Sequence, residues 1–264
     1  MNVTLKAVAA LLSLSVVASC VAAQTTGPAP AVQKYVIYSG WGNPDTGFVR
    51  EHWKEMDQKP FNGTSLLIRI DPAGQKNTAN DLGWNLVGPK RFTIEDFQFA
   101  REDMKGVAFK NLTRNFLTIQ LSSGYTKDLH WYEDARWAVL LDNAKMFAQL
   151  ARELGCLGIV IDCEHYGYGL FNYESMKGRY HQASYAEYCT KAKERGAQFA
   201  QALNAGYPDI PVYLFYYGWC VPVREGESKM APAPEKRGYS LLLPFLDGML
   251  KGSSPKTTFV DGYE

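Results

Sequence analysis

A chain of 264 residues with 28 basic and 27 acidic side chains has a formal net charge of +1, which argues against a nucleic-acid-binding protein, since such a protein carries a basic stripe. The length allows one large domain or two small ones, and the regular alternation of strand-like and helix-like runs favours one. Aromatic residues make up 13% of the chain, many of them just after apolar runs, where they serve as core filler or as flat faces for sugar rings.

The first segment reads as an export signal, not as part of the fold. Lys6 precedes an apolar stretch, residues 7–18, that is too short to span a bilayer. Val17-Ala18-Ser19-Cys20 then resembles a bacterial lipobox, in which Cys20 is lipidated and becomes the mature N-terminus; Val21-Ala22-Ala23 before Gln24 is a competing ordinary cleavage site. Residues 1–23 are thus expected to be a signal peptide and 24–33, rich in Thr, Pro, Ala and Gly, a tether. The expected location is the periplasm or cell envelope, with membrane contact only through one lipid, or else the secreted fraction.

From residue 34 onward the elements follow in order. Residues 35–39 form a first strand ending in Gly40-Trp41-Gly42-Asn43-Pro44-Asp45, and a helix runs from about 48 to 56. A second strand covers 65–70 and a long polar loop extends through Trp84. Thr93-Ile94-Glu95-Asp96 has capping-box form and opens a helix toward Met104. The third strand is 115–121. Trp137, Leu140, Leu141, Ala144, Phe147, Ala148 and Ala151 recur at helical spacing over 134–154, and Gly155 stops that helix. After the fourth strand, Ser184-Tyr185-Ala186-Glu187 caps a helix to about 205. A fifth strand spans 210–216, a helix lies near 240–250, and a sixth strand begins at 257.

Six βα-like units without a Gly-rich phosphate loop point to an α/β fold of the (β/α)8 barrel kind more than to a doubly wound sheet. Six strands do not close a barrel, so the expectation is a barrel truncated after its sixth strand over 34–264; a complete six-stranded open sheet is the alternative. Cys156, Cys163, Cys189 and Cys220 form no CxxC pair, and no His stands at zinc-finger spacing, so neither a metal nor any other cofactor is implied.

The chemistry concentrates in Gly158-Ile159-Val160-Ile161-Asp162-Cys163-Glu164-His165-Tyr166. An apolar strand buried on both faces ends in two carboxylates at i and i+2, which alternation sets on one face. The carboxyl ends of such strands are where α/β folds build active sites. Two nearby carboxyl groups titrate apart, one an acid and one charged, which is the equipment for cleaving a glycosidic bond.

With the flanking Leu157, this segment resembles the fourth-strand signature of chitinase-type glycoside hydrolases, Asp-Gly-x-Asp-x-Asp-x-Glu followed by an aromatic residue. The resemblance makes Glu164 the general acid and Asp162 the group that orients the substrate's acetamido function. Leu157 and Val160 stand where the signature has its first two aspartates, so the buried relay is missing, which argues against substrate-assisted cleavage of N-acetylated sugars. The match covers about ten residues. Tyr38-Ser39-Gly40-Trp41-Gly42 and the aromatic crowd Phe215, Tyr216, Tyr217 and Trp219 are also similar to exported bacterial glycosidase-like barrels of uncharacterised substrate.

Asp261 and Glu264, at the tip of the sixth strand, are candidates for a nucleophile or base paired with Glu164, a separation of ~5 Å implying retention and ~6.5–9.5 Å inversion. Trp41, Asn43, Arg69, Tyr166, Tyr217 and Trp219 are candidate substrate-binding residues on the same rim. Arg69 serves there or holds Asp71 or Asp162 in an ion pair, and His165 either tunes the acid or is an inert loop residue. His52, His130 and His181 read as surface or satisfied residues. No Gly-x-Ser-x-Gly elbow supports an esterase.

Three functions fit: an exported glycoside hydrolase acting on an oligo- or polysaccharide; a non-catalytic carbohydrate-binding surface lipoprotein; and a hydrolase with a hard cation on Asp71, Asp162, Glu164 and Asp261. The last is weakest, since paired histidines are missing.

Overall fold

The β-branched and aromatic runs become six strands in a computed structural model that describes residues 34–264 apart from 41, 75, 77, 122–128, 166–168, 179–181, 216–232 and 263–264. β1 (Ile37–Tyr38), β2 (Gly63–Leu66), β3 (Phe116–Gln120), β4 (Gly158–Asp162), β5 (Val212–Phe215) and β6 (Phe259–Gly262) lie side by side in chain order. Every neighbouring pair is parallel. The connections carry α1 (Thr46–Met56), α2 (Leu82–Asn85), α3 (Gln98–Met104), α4 (Asp134–Glu153), α5 (Tyr173–Met176), α6 (Tyr185–Gly206) and α7 (Leu242–Gly252).

A doubly wound sheet reverses its strand order partway, and this one does not. Right-handed crossovers between consecutive parallel strands put the helices on one side, and the sheet curls the other way into a half-barrel, as expected for a barrel-like α/β fold.

Local chemistry sets the element ends. Asp45 caps α1 by accepting the Phe48 N–H at 2.9 Å, a bond that satisfies one of the helix's unpaired donors. Ser184 and Glu187 form the reciprocal capping box at the start of α6. α4 runs out at Gly155, whose φ of 72° is left-handed and suits a residue without a Cβ. Thr93 and Asp96 do form a capping box, but it opens a 3-10 turn, Ile94–Phe97, before α3 begins.

The polar loop after β2 differs from expectation. Its far end returns to the strand, with the Ile70 N–H donating to the Asn80 carbonyl and the Leu82 N–H to the Ile68 carbonyl, both at 2.7 Å. Arg69 and Asp81 thereby form an isolated antiparallel bridge, and the regular ladder of β2 stops at Leu66 instead of reaching residue 70.

The two faces of the sheet have different fates. Leu117, Ile119, Ile159, Ile161, Val212 and Leu214 belong to the buried core that also contains Trp137 and Phe147 of α4, Phe199 of α6 and Phe245 of α7. Alternation turns Phe116, Thr118, Gln120, Val160, Asp162, Tyr213 and Phe215 to the inside of the half-barrel. There Thr118, Val160, Tyr213 and Val260 make one row across four strands. Gln120 pairs with Asp162 in the next row, and Phe215 pairs with Gly262. Continuing the β4–β5 register sets Phe215 beside Asp162.

At the other end of the inner face, Gly158 lies opposite Phe116. A Cβ on Gly158 would collide with the Pro211 carbonyl oxygen of the neighbouring strand. Gly158→Ala should therefore lower unfolding stability by roughly 1–3 kcal/mol through overpacking. Denaturant unfolding checks this; an unchanged midpoint would mean that the strands separate freely there.

Candidate active site

Asp162 ends β4 half-buried on the inner face, and both of its carboxylate oxygens have donors. Oδ2 accepts Gln120 Nε2 at 2.7 Å, and Oδ1 accepts the backbone N–H of Glu164 at 2.8 Å. The first bond follows from register, because Gln120 and Asp162 are direct neighbours across β3 and β4. The second is an Asx turn that bends the chain as it leaves the strand. Together they fix the carboxylate's rotamer and complement its charge. Glu164 follows, half-buried, on the same turn.

A tyrosine from the connection before α7 completes this group. The Tyr239 hydroxyl accepts the backbone N–H of His165 at 3.2 Å, and the two rings lie 4.3 Å apart, centre to centre. Burial pushes the Tyr239 phenol above its ordinary value; the His165 N–H bond opposes this, and the charges of Glu164 and Asp162 add to it. The Tyr239 hydroxyl thus lies in the field of both acids. Burial also pushes the His165 imidazole below its ordinary value, against the pull of Glu164, and keeps it neutral near pH 7. His165 Nδ1 is buried with no hydrogen-bond partner among the described residues.

A second polar group sits at the ends of β1 and β2. Arg69 grips Asp45, Nε to Oδ2 at 3.1 Å and Nη2 to Oδ1 at 3.3 Å, in the two-pronged geometry that suits guanidinium and carboxylate. Asp81 is 7% exposed and accepts the Gly83 N–H at 2.7 Å as the cap of α2. Burial raises its carboxyl to about 7; the Gly83 bond and Lys76 counter the rise, and Asp45 adds to it.

The structure brings Asp162, Glu164 and His165 together and adds Gln120 and Tyr239, neither of which stands out in the sequence. Arg69 holds Asp45, not Asp71 or Asp162; Asp71 accepts the Ala73 N–H in its own turn. Asn43 is 6% exposed; its side-chain oxygen accepts the Gly40 N–H and its carbonyl accepts Lys76 Nζ, so it orders the loop after β1. Asp261 pairs with Leu214 and lines a shallow pocket with Leu246, Leu250 and Phe259. That is the helix-facing side, opposite the face of Asp162. Trp41, Tyr166, Tyr217, Trp219, Glu264 and Cys20 lie outside the described residues.

Cys156 and Cys163 are buried, and burial pushes the Cys156 thiol up to about 12, which fits small core hydrophobes. Among the described residues, no three His, Cys, Asp or Glu side chains are grouped to hold a metal ion, and no helix is long and apolar enough to cross a membrane. Compared with models of protein families, with curated proteins and with solved structures, the chain has no match.

Proposed function

We propose that this protein is an exported, carbohydrate-cleaving half-barrel in which Glu164 is the general acid and Asp162 the charged partner. The single observation that carries the reading is the two-donor clamp on Asp162, which holds a carboxylate on the inner face at the strand tip, next to Glu164. In the reaction, the Glu164 carboxyl gives its proton to the glycosidic oxygen as the bond to the anomeric carbon breaks. Asp162 faces the positive charge that develops on the sugar. Water then adds to that carbon and returns a proton to the Glu164 carboxylate. Neutral His165 and the Tyr239 hydroxyl line this turn without bringing a competing cation. The ten-residue likeness to chitinase-type enzymes supports Glu164 as the acid; the export signal and the Cys20 lipid belong to this reading as proposals.

A second reading, glycan capture without cleavage, is favoured by Asp261 lying on the other side of the sheet, which leaves the strand-six tip without that carboxylate on the inner face. Incubation with a panel of plant, fungal and bacterial-wall polysaccharides separates the two. New reducing ends from at least one polysaccharide are expected. Saturable binding with no product would favour capture, and neither product nor binding would contradict both.

A further inference from the structure

The inner face carries a second feature beside the acids, built from β5 and β6. Val212 and Leu214 are buried in the core, while Tyr213 and Phe215, with the opposite parity, are half-buried on the inside of the half-barrel. Tyr213 is wedged in place, its ring 5.9 Å from Phe116 on one side and 5.1 Å from Phe215 on the other, the latter contact edge-on. Room for that wedge comes from β6. Gly262 pairs with Phe215, and a Cβ on it would run into the Tyr213 ring. The absence of a side chain at 262 therefore lets Tyr213 lie across the neighbouring strand and brace Phe215.

Phe215 is left as a part-exposed aromatic face, one strand across from Asp162 in the continued register. Resting on the reading of Asp162 and Glu164 given above, we infer that Phe215 is the platform for a pyranose ring of the substrate, with Tyr213 and Gly262 fixing its tilt. A pyranose presents an apolar face of C–H bonds and an edge of hydroxyls. Phe215 suits the first, and the neighbouring Asp162 and Glu164 carboxylates suit the second. The arrangement selects for sugars with a flat C–H face, and Phe215 acts as a positioning residue that supplies binding and not proton transfer.

Calorimetry with six-residue oligosaccharides of β-1,4-linked glucose, xylose, mannose and N-acetylglucosamine, and of α-1,4-linked glucose, tests this on the full chain. The wild type should bind at least one. Phe215→Tyr, which keeps the flat face, should bind it within about threefold. Phe215→Leu, which keeps an apolar side chain but loses the face, should bind about tenfold more weakly at an unchanged melting temperature. Gly262→Ala, which displaces Tyr213 and leaves Phe215 in sequence, should weaken the same ligand. Wild-type affinity in both Phe215→Leu and Gly262→Ala would overturn the platform while leaving the roles of Asp162 and Glu164 standing. No binding of any of the five by the wild type would overturn the platform; the carbohydrate reading falls with it only if the polysaccharide panel also gives neither product nor binding.

Discussion

Replacing Glu164 by Gln should lower glycan turnover by about 10²–10⁴-fold, the range that a positioned general acid contributes, and should leave the fold as stable as the wild type. The second half of that expectation comes from the geometry. Glu164 holds Asp162 through its backbone N–H and not through its carboxyl, so the amide substitution leaves the clamp intact while removing the transferable proton. Binding of the substrate should persist, which separates a chemical defect from a loss of structure. Asp162→Asn is the less clean variant. Both Asp162 oxygens accept hydrogen bonds, and an amide offers only one acceptor, so either Gln120 turns over or a donor faces a donor. Undiminished turnover by Glu164→Gln would remove this residue from the mechanism.

Asp81→Asn should stabilise the protein in alkaline solution by roughly 4 kcal/mol, which is what moving a carboxyl from 3.8 to about 7 implies by linkage. The sign follows from proton counts. Between pH 4 and 7 the folded state keeps a proton on Asp81 that the unfolded chain has already lost, so the wild type loses stability as the pH rises through that window. Below pH 4 both states are protonated and the contribution is fully present. Asparagine is neutral throughout and remains a good helix cap, able to accept the Gly83 N–H as Asp81 does. The two proteins should therefore unfold alike near pH 4 and diverge above pH 7, with Asp81→Asn the more resistant to denaturant. Equal stability at pH 8 would mean that Lys76 and the α2 N-terminus hold the Asp81 charge at no net cost.

The contrast between these two carboxylates shows what a sequence can disclose. The fourth strand is legible because an uninterrupted apolar run buried on both faces has few other interpretations, and the i, i+2 spacing of Asp162 and Glu164 is local information. The long α4 and the capped α6 are legible for the same reason, through periodicity and end signals. The Asp162 clamp is half hidden. The Glu164 N–H is two residues away, but Gln120 comes from a different strand, and only the β3–β4 register pairs them. Nothing in the residues around Gln120 separates a strand-end amide in water from one holding an acid.

The same limit governs Asp261 and Asp81. Phe259 and Val260 are both apolar, so the sixth strand's pattern does not say which parity faces the helices; the ladder does, by pairing Asp261 with Leu214. Asp81 sits in a stretch that reads as a plain polar loop, and its burial comes from the return of that loop onto Ile68 and Arg69. Tyr239 is farther still in sequence from the group it joins, and its only local mark is a position before an apolar helix. Side chains that act within one element are visible in the sequence, and those that act across a ladder or from a returning loop become visible only when the chain is folded.

The most direct test of the account is a crystal structure of the Glu164→Gln protein bound to the oligosaccharide that the wild type cleaves. The expected density places a sugar ring against Phe215, with the scissile oxygen within hydrogen-bonding distance of the residue 164 amide and the anomeric carbon facing Asp162. A sugar bound on the helix-facing side near Asp261, or one that leaves Asp162 and residue 164 untouched, would contradict it.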